Sequence, residues 1–200
     1  MMALRLPRAA EREYIAAANV VAVYVAALPS GPSYVSTSRD LLHSLIALRR
    51  RWNSVRIVSA HWLEGKTEAR LICREVNESL PRGASGLLVA NAQAATRRVE
   101  NAAARMGVVL TDHADVLLRA RAAVAFVEDK IEQQQASGEL AWFNQAYREW
   151  RLAAKTEGRS MTYAEARARL RRHIFREVLS SEFVAVSKSI FPPLRTLNLD

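Results

Sequence analysis

Two tyrosines, Tyr24 and Tyr34, lie in short runs rich in β-branched residues, and a Pro-Ser-Gly-Pro turn separates them. An apolar-periodic segment follows and ends in three consecutive arginines at positions 49–51. The planar guanidinium group of arginine binds phosphate oxygens through paired hydrogen bonds. The stretch is therefore either the front of a site that acts on phosphate esters or an ordinary hairpin leading into a helix, with both tyrosines packed in strands.

The other residue types that commonly carry chemistry show no functional spacing. The four histidines are scattered, and no metal-binding pattern such as HExxH occurs. A glycine-rich phosphate loop is also missing. Cys73 is the single cysteine, which excludes an intramolecular disulfide and a multi-cysteine metal site, so we expect a buried, unreactive thiol. A cytoplasmic protein, associated with the nucleoid if it binds DNA, is the simplest interpretation.

The chain is basic, since 29 lysines and arginines against 20 acidic residues give a net charge of +9. This balance suits a polyanion, because each phosphate neutralised by a basic side chain releases counterions. We therefore expect DNA as the partner, the alternative being a compositional bias toward arginine and alanine. No apolar run approaches the roughly 18–20 residues that cross a bilayer, so no membrane partner is expected. Glu11 and Glu13 interrupt the first residues and no long apolar core occurs there, so no signal peptide is expected.

The first 80 residues combine strand and helix patterns. Runs rich in valine and tyrosine predict strands, and apolar residues at three- and four-residue spacing predict helices. We expect strands over 20–28, 33–37 and 55–62, and helices over 38–52 and 67–80. The order strand, strand, helix, strand, helix predicts a small three-stranded sheet with two helices.

Beyond residue 84 the pattern is helical throughout. Helices are expected over 85–106, 112–135, 140–156 and 162–180, and Thr162 with Glu165 forms a capping box for the last one. The fold class is therefore α+β, a sheet domain followed by an all-helical bundle that is also a candidate surface for homo-oligomerisation. The predicted segments are an N-terminal arm or helix at 1–17, an α/β domain at 18–83, a helical domain at 84–182 and an extended tail at 183–200.

Two groups of side chains in the helical part have two interpretations each. Aromatic residues recur at helical spacing and form either a base-stacking platform or the core between helices, of which core is the more typical; they are Trp142, Phe143, Tyr147 and Trp150. The last helix carries several arginines that lie on phosphates or form a solvated face. Its candidate nucleic-acid contacts are Arg167, Arg171 and Arg172.

The front of the chain resembles the GIY-YIG nuclease family over residues 18–80. Tyr24 in "AVY" stands where the first motif tyrosine occurs, and Tyr34 in "YVS" stands where the second occurs. The segment "STSRDL" is similar to the family's lead into its first helix. "VRIVSAHWLEGKTEARLICREV" is similar to its third strand and the helix that bears its glutamate. The resemblance implies the family's sheet-and-helix scaffold for about a third of the chain.

The resemblance also implies a division of roles. In that family a tyrosine helps to deprotonate water, an arginine stabilises the phosphate, and a glutamate binds one divalent metal, here Mg²⁺ or Mn²⁺. The candidate catalytic residues are Tyr24, Tyr34, His43 and Arg49, the candidate metal ligands are Glu68 and Glu75, and the candidate nucleic-acid contacts in this part are Arg39, Arg50 and Arg51.

The sequence departs from the family pattern at three places. Ser36 replaces the glycine of the second motif, and Leu42, His43 and Ser44 occupy the positions of the family arginine. Cys73 stands where the metal glutamate belongs. We therefore favour a DNA-binding protein whose GIY-YIG-like domain is catalytically degenerate. The alternatives are an active metal-dependent DNA endonuclease and an interaction or oligomerisation protein that binds no nucleic acid.

Overall fold

The computed structural model describes residues 3–29, 31–83 and 86–180, so the predicted tail at 183–200 lies outside the described residues. The described chain is an α+β protein, which confirms the predicted fold class. Its helices and strands are, in order along the chain, α1 (Ala9–Ala17), β1 (Val21–Ala27), β2 (Ser33–Ser38), α2 (Leu41–Arg51), β3 (Arg56–Leu63), α3 (Lys66–Ser79), α4 (Ala92–Arg105), β4 (Thr111–Asp112), α5 (His113–Ala136), α6 (Ala141–Thr156) and α7 (Tyr163–Ser180).

The strands form an antiparallel sheet in the order β2-β1-β3-β4. The central strand β1 is buried along nearly its whole length, which suits its run of valine and alanine. In the described part of the chain the sheet has four strands, whereas the sequence predicts three. The additional strand β4 has two residues, which pair with His61 and Trp62 of β3. A segment this short shows no alternating pattern, so periodicity could not have found it.

Side chains alternate along β1 and so divide between the two faces of the sheet. Val21, Val23 and Val25 lie in a core that also holds one apolar stripe from α3 and another from α4, namely Ala69, Ile72, Val76, Ala95, Val99, Ala102 and Ala103. Tyr24 lies on the opposite face, where its side chain bonds Ser44 of α2. The sheet therefore lies between α2 on one side and α3 with α4 on the other.

Trp62 fixes the start of the chain and the start of α5 to the sheet. Its fully buried indole donates from Nε1 to His113 Nδ1 at 3.0 Å. His113 Nδ1 is thereby an acceptor, so Nε2 carries the proton and donates to the carbonyl oxygen of Arg5 at 2.7 Å. The Leu4 amide also donates to the carbonyl oxygen of Ile57 at 2.9 Å. These bonds hold residues 4–5 against β3.

Contacts within the chain define two compact units whose boundaries differ from the predicted domains. Among the described residues, the first unit holds 3–8 and 19–118, so α4 and β4 group with the sheet, whereas the predicted helical domain begins at residue 84. The periodicity of α4 shows an amphipathic helix but does not show which partner its apolar stripe covers. The helix also begins later than predicted, because Leu88 is held by β-bridges to Ser33 and Arg82.

The second unit holds residues 9–18 and the described chain from 119 onward, and the division falls within α5. Its core contains Ala123, Val127, Ile131, Leu140, Phe143, Ala166, Leu170, Ile174 and Phe175. The segment predicted as an N-terminal arm or helix contributes α1 to this unit. Tyr14 of α1 lies edge-on to Phe175 with ring centroids 5.9 Å apart, and Glu13 pairs with Arg171 at 3.0 Å. Within the described residues, no helix is both long enough and apolar enough to cross a bilayer.

The capping box of α7 is confirmed and yields a stability prediction. The Glu165 amide donates to Thr162 Oγ1 at 3.2 Å, and the Thr162 amide donates to Glu165 Oε2 at 2.8 Å. Replacing Thr162→Ala leaves an amide of the first turn without its acceptor, so we expect a loss of about 1 kcal/mol in the free energy of unfolding. Urea denaturation followed by circular dichroism measures it. Thr156→Ala, at the end of α6, is the matched control, and an equal loss in both variants would contradict the capping role.

Candidate functional site

The register between β1 and β2 brings the two tyrosines to one face of the sheet. Tyr24 lies opposite Ser36, and Tyr34 lies opposite Ala26. The ring centroids of Tyr24 and Tyr34 are 6.5 Å apart. Only 3% of Tyr24 is exposed, whereas Tyr34 is half-buried. Tyr34 is therefore the more accessible of the two tyrosines.

A cluster of serine hydroxyls surrounds the buried end of Tyr24. Its side chain forms hydrogen bonds with Ser36 and Ser44. Ser44 Oγ in turn donates to Ser38 Oγ at 2.7 Å, and Ser38 Oγ also accepts from the Asp40 amide at 3.0 Å. Two positions at which the sequence departs from the GIY-YIG pattern, 36 and 44, are thus occupied by residues that satisfy the Tyr24 hydroxyl.

The buried position of Tyr24 works against a role as a base. Burial raises the pKa of Tyr24 to about 12, an effect that the nearby Tyr34 reinforces and the bonds to Ser36 and Ser44 partly offset. A general base works best when its pKa lies near the working pH. The Tyr24 phenol is therefore protonated at neutral pH and acts as a hydrogen-bonding group.

Aromatic contacts continue from the tyrosines to the surface at the end of α2. Tyr34 and Trp52 have ring centroids 5.6 Å apart, and the guanidinium carbon of Arg51 lies 4.7 Å from the centre of the Trp52 ring. We call Tyr24, Tyr34, Trp52 and Arg51 the tyrosine ladder. Counted along the helix, Arg51 comes one to two turns after the family's arginine position, yet the Trp52 ring connects it to Tyr34.

The remaining candidates on and before α2 are exposed. Arg49 and Arg50 lie beside Arg51 in the last turn, and all three side chains are exposed. His43 is exposed in the first turn, where its amide donates to Asp40 Oδ1 at 3.1 Å. Arg39 is exposed just before that helix cap. The structure therefore joins Arg51 to the tyrosines, and leaves the catalytic roles of His43 and Arg49 as predictions.

Cys73 lies against the edge strand rather than at a metal-binding surface. Its Sγ donates to the carbonyl oxygen of Val35 in β2 at 3.6 Å, and Asn77 Nδ2 lies 3.2 Å from both that oxygen and Sγ. Burial raises the pKa of the Cys73 thiol, so the group is protonated at neutral pH. A protonated thiol is a poor ligand for Mg²⁺ or Mn²⁺, which prefer oxygen donors.

The two candidate metal carboxylates do not fit one ion. Glu68 and Glu75 lie on α3, two helical turns or roughly 10 Å apart along the axis, whereas a Mg²⁺ ion binds its oxygens at about 2.1 Å. The Glu68 carboxylate folds back onto Gly65, and Glu75 forms an ion pair with Arg105 of α4. The helix packs on the side of the sheet opposite Tyr24. Nowhere in the described part of the chain do three His, Cys, Asp or Glu side chains form a group suited to a metal.

The arginines predicted on the last helix have different surroundings within the helical unit. Arg171 bonds Glu13 and Glu128, each at 3.0 Å, and Arg167 Nε donates to Glu128 at 3.0 Å. Arg172 is exposed and donates from Nε to the carbonyl oxygen of Ala168 at 3.2 Å. The charges of Arg167 and Arg171 are therefore directed at carboxylates, while that of Arg172 faces solvent.

Sequence reasoning missed Trp52 as a site residue. The sequence feature that could have indicated Trp52 is its position directly after the three arginines, at the end of an amphipathic helix. The serine cluster carried a weaker signal, since serine is common beside turns and helix starts. The bond between Cys73 and Val35 connects residues far apart in the chain, and no local pattern indicates it.

The raised pKa of Tyr24 predicts a specific pH dependence of stability. An unfolded tyrosine ionises near pH 10, while Tyr24 in the fold ionises at about 12. The unfolded chain therefore loses its proton first, so the contribution of Tyr24 is fully present below pH 10 and is lost as pH rises toward 12. We expect the urea midpoint of Tyr24→Phe to fall less steeply above pH 10 than that of the wild type. Tyr163→Phe, at an exposed site, is the control, and equal slopes for wild type and Tyr24→Phe would contradict the prediction.

Comparison with known proteins adds no relative to this description. The chain matches no family model, no curated protein and no solved structure. The resemblance to GIY-YIG nucleases therefore rests on the residues of this sequence alone.

Proposed function

We propose that the protein binds DNA through the end of α2 and the outer part of the tyrosine ladder, without cleaving it. The supporting observation is the chain of contacts in which Arg51 lies over the Trp52 ring and Trp52 packs at a tilt against Tyr34, beside exposed Arg49 and Arg50. Three guanidinium groups on one helical turn suit the closely spaced phosphates of a duplex. In this proposal the tyrosines position the basic surface and carry out no reaction.

Three features support binding without cleavage. The Tyr24 phenol is protonated at neutral pH and bonds serines. The position of the family's metal glutamate holds Cys73, whose thiol bonds a strand carbonyl. Glu68 and Glu75 lie on a helix that covers the opposite side of the sheet. No carboxylate among these candidates accompanies the tyrosines, so we derive no metal-dependent step.

The proposal is consistent with the net positive charge of the chain and with a cytoplasmic location. The net charge of +9 favours encounter with a polyanion, and we infer that the protein acts on DNA in the cytoplasm. Self-association through the helical unit is compatible with this function but is not needed for it.

Binding can be tested with a labelled duplex and the double variant Arg50→Gln/Arg51→Gln. Removing two phosphate contacts lowers the slope of log affinity against log salt by about 1.8. Fluorescence anisotropy between 50 and 200 mM NaCl measures the slope. Arg70→Gln/Arg74→Gln removes the same charge from exposed positions on α3 and serves as the matched control. Equal slopes for both double variants would locate binding elsewhere, and binding that is absent or insensitive to salt would favour an interaction protein.

Cleavage can be tested on supercoiled plasmid with Mg²⁺ or Mn²⁺. We expect no nicking above that of a preparation without the protein, because the candidate base is protonated and the candidate ligands lie apart. Tyr24→Phe and Glu68→Ala/Glu75→Ala are purified and assayed in parallel. Metal-dependent nicking that is present in the wild type and lost in these variants would establish the active endonuclease instead.

A further inference from the structure

A groove on the helical unit combines aromatic rings with positive charge. It lies between α6 and α7, has a volume of about 440 Å³, and is lined by Trp142, Trp150, Arg169, Leu170, Arg172, His173 and Arg176. We call it the tryptophan groove. Its four basic side chains recur at spacings of three and four residues, which places them on one face of α7. Among the residues that the structure describes, no acidic side chain lines the groove.

The exposed indole of Trp142 is the first sign of a binding surface. This side chain is 44% exposed, although tryptophan is highly buried on average. Its ring lies edge-on to Phe143 and to His173, with centroids 6.2 and 5.8 Å apart, so the ring is held in place while much of its surface remains open. An ordered, open indole is a surface on which a planar group can stack.

The second sign of a binding surface is that two arginines of the groove are not paired with carboxylates of the described residues. Arg172 donates to a main-chain oxygen of its own helix, and no described residue forms an ion pair with Arg176. Arg169 lies over Trp150, with its guanidinium carbon 5.3 Å from the ring centre. His173 pairs with Glu177 at 3.2 Å, and Glu177 does not line the groove. Arg172 and Arg176 are therefore directed at solvent beside an open aromatic ring.

The groove continues past Trp150 into a second cavity. This cavity has a volume of about 360 Å³ and shares Trp150, Arg169 and Arg172 with the first. Two carboxylates line it too: Glu157 is paired with Arg159, and Glu165 accepts from the Thr162 amide at 2.8 Å. Two adjoining cavities with a common wall suit an extended ligand better than a single small anion.

We propose that the tryptophan groove binds single-stranded nucleic acid, with a base stacked on Trp142 and backbone phosphates held by Arg172 and Arg176. Stacking needs an unpaired base, because the faces of paired bases are covered by their neighbours in a duplex. An acidic peptide would use the arginines but not the indole. The site lies on the helical unit and does not depend on the tyrosine ladder, so either proposal can fail without the other.

The test uses the full chain and a labelled 12-nucleotide oligo(dT), with anisotropy read at 50 and 200 mM NaCl. We expect Trp142→Ala to weaken binding by about tenfold, since it removes a stacked base. Trp142→Phe keeps an aromatic face and restores most of that affinity. Arg172→Gln/Arg176→Gln lowers the salt slope by about 1.4, as expected for two single-strand phosphate contacts.

Matched controls separate this site from general charge and from the tyrosine ladder. Leu152→Ala and Arg148→Gln change exposed residues of α6 that do not line the groove, and both should bind oligo(dT) as the wild type does. Arg50→Gln/Arg51→Gln should weaken duplex binding and leave oligo(dT) binding intact. Polyglutamate of equal charge should fail to displace oligo(dT). Wild-type affinity in Trp142→Ala, no binding of oligo(dT) at 50 mM NaCl, or full displacement by polyglutamate would each overturn the proposal.

Discussion

The antiparallel register between β1 and β2 determines where every candidate group on the sheet lies. Tyr24 faces α2 because Val23 and Val25 on either side of it fill the core under α3 and α4. Side chains alternate along a strand, so a slip of one residue would exchange the two sets. Such a slip would place the Tyr24 phenol in the apolar core and would place Val23 and Val25 against the serine cluster. Burial of the valines on one face of the sheet therefore determines that Tyr24 lies on the other face. The valines themselves are not candidate functional residues.

The contacts that satisfy Tyr24 also limit what it can do. A buried hydroxyl without a partner costs about 1–3 kcal/mol, and Ser36 and Ser44 remove that penalty. Positions 36 and 44 are two of those at which the sequence departs from the GIY-YIG pattern. The same burial raises the pKa of Tyr24 and keeps the phenol protonated, so Tyr24 is poorly suited to act as a general base. What remains accessible is the outer part of the ladder, where Trp52 and Arg51 offer contact area and charge for binding.

Local patterns predicted the local structure well. The strands around Tyr24 and Tyr34, the helix after them and the capping box at Thr162 all follow from periodicity and turn chemistry, and the α+β class follows from their order. The unpredicted features depend on contacts between distant residues. An amphipathic α4 does not reveal whether its stripe covers a sheet or a helix, and β4 is strand only because β3 pairs with it. Sequence position likewise places Arg51 one to two turns after the family's arginine position, and it does not reveal that Trp52 lies in contact with both Arg51 and Tyr34.

The arginines show why net charge alone is a weak guide to a binding surface. Arg171 lies between Glu13 and Glu128, and its hydrogen bonds are used within the helical unit. Removing both carboxylates would leave a largely buried positive charge without a partner, so the main role of Arg171 is structural. Arg51 is exposed, and its guanidinium carbon lies 4.7 Å from the centre of the Trp52 ring, so its charge remains available to a phosphate. Arginines of one sequence thus differ in how available they are to a polyanion, because some are paired with carboxylates in the fold and others are not.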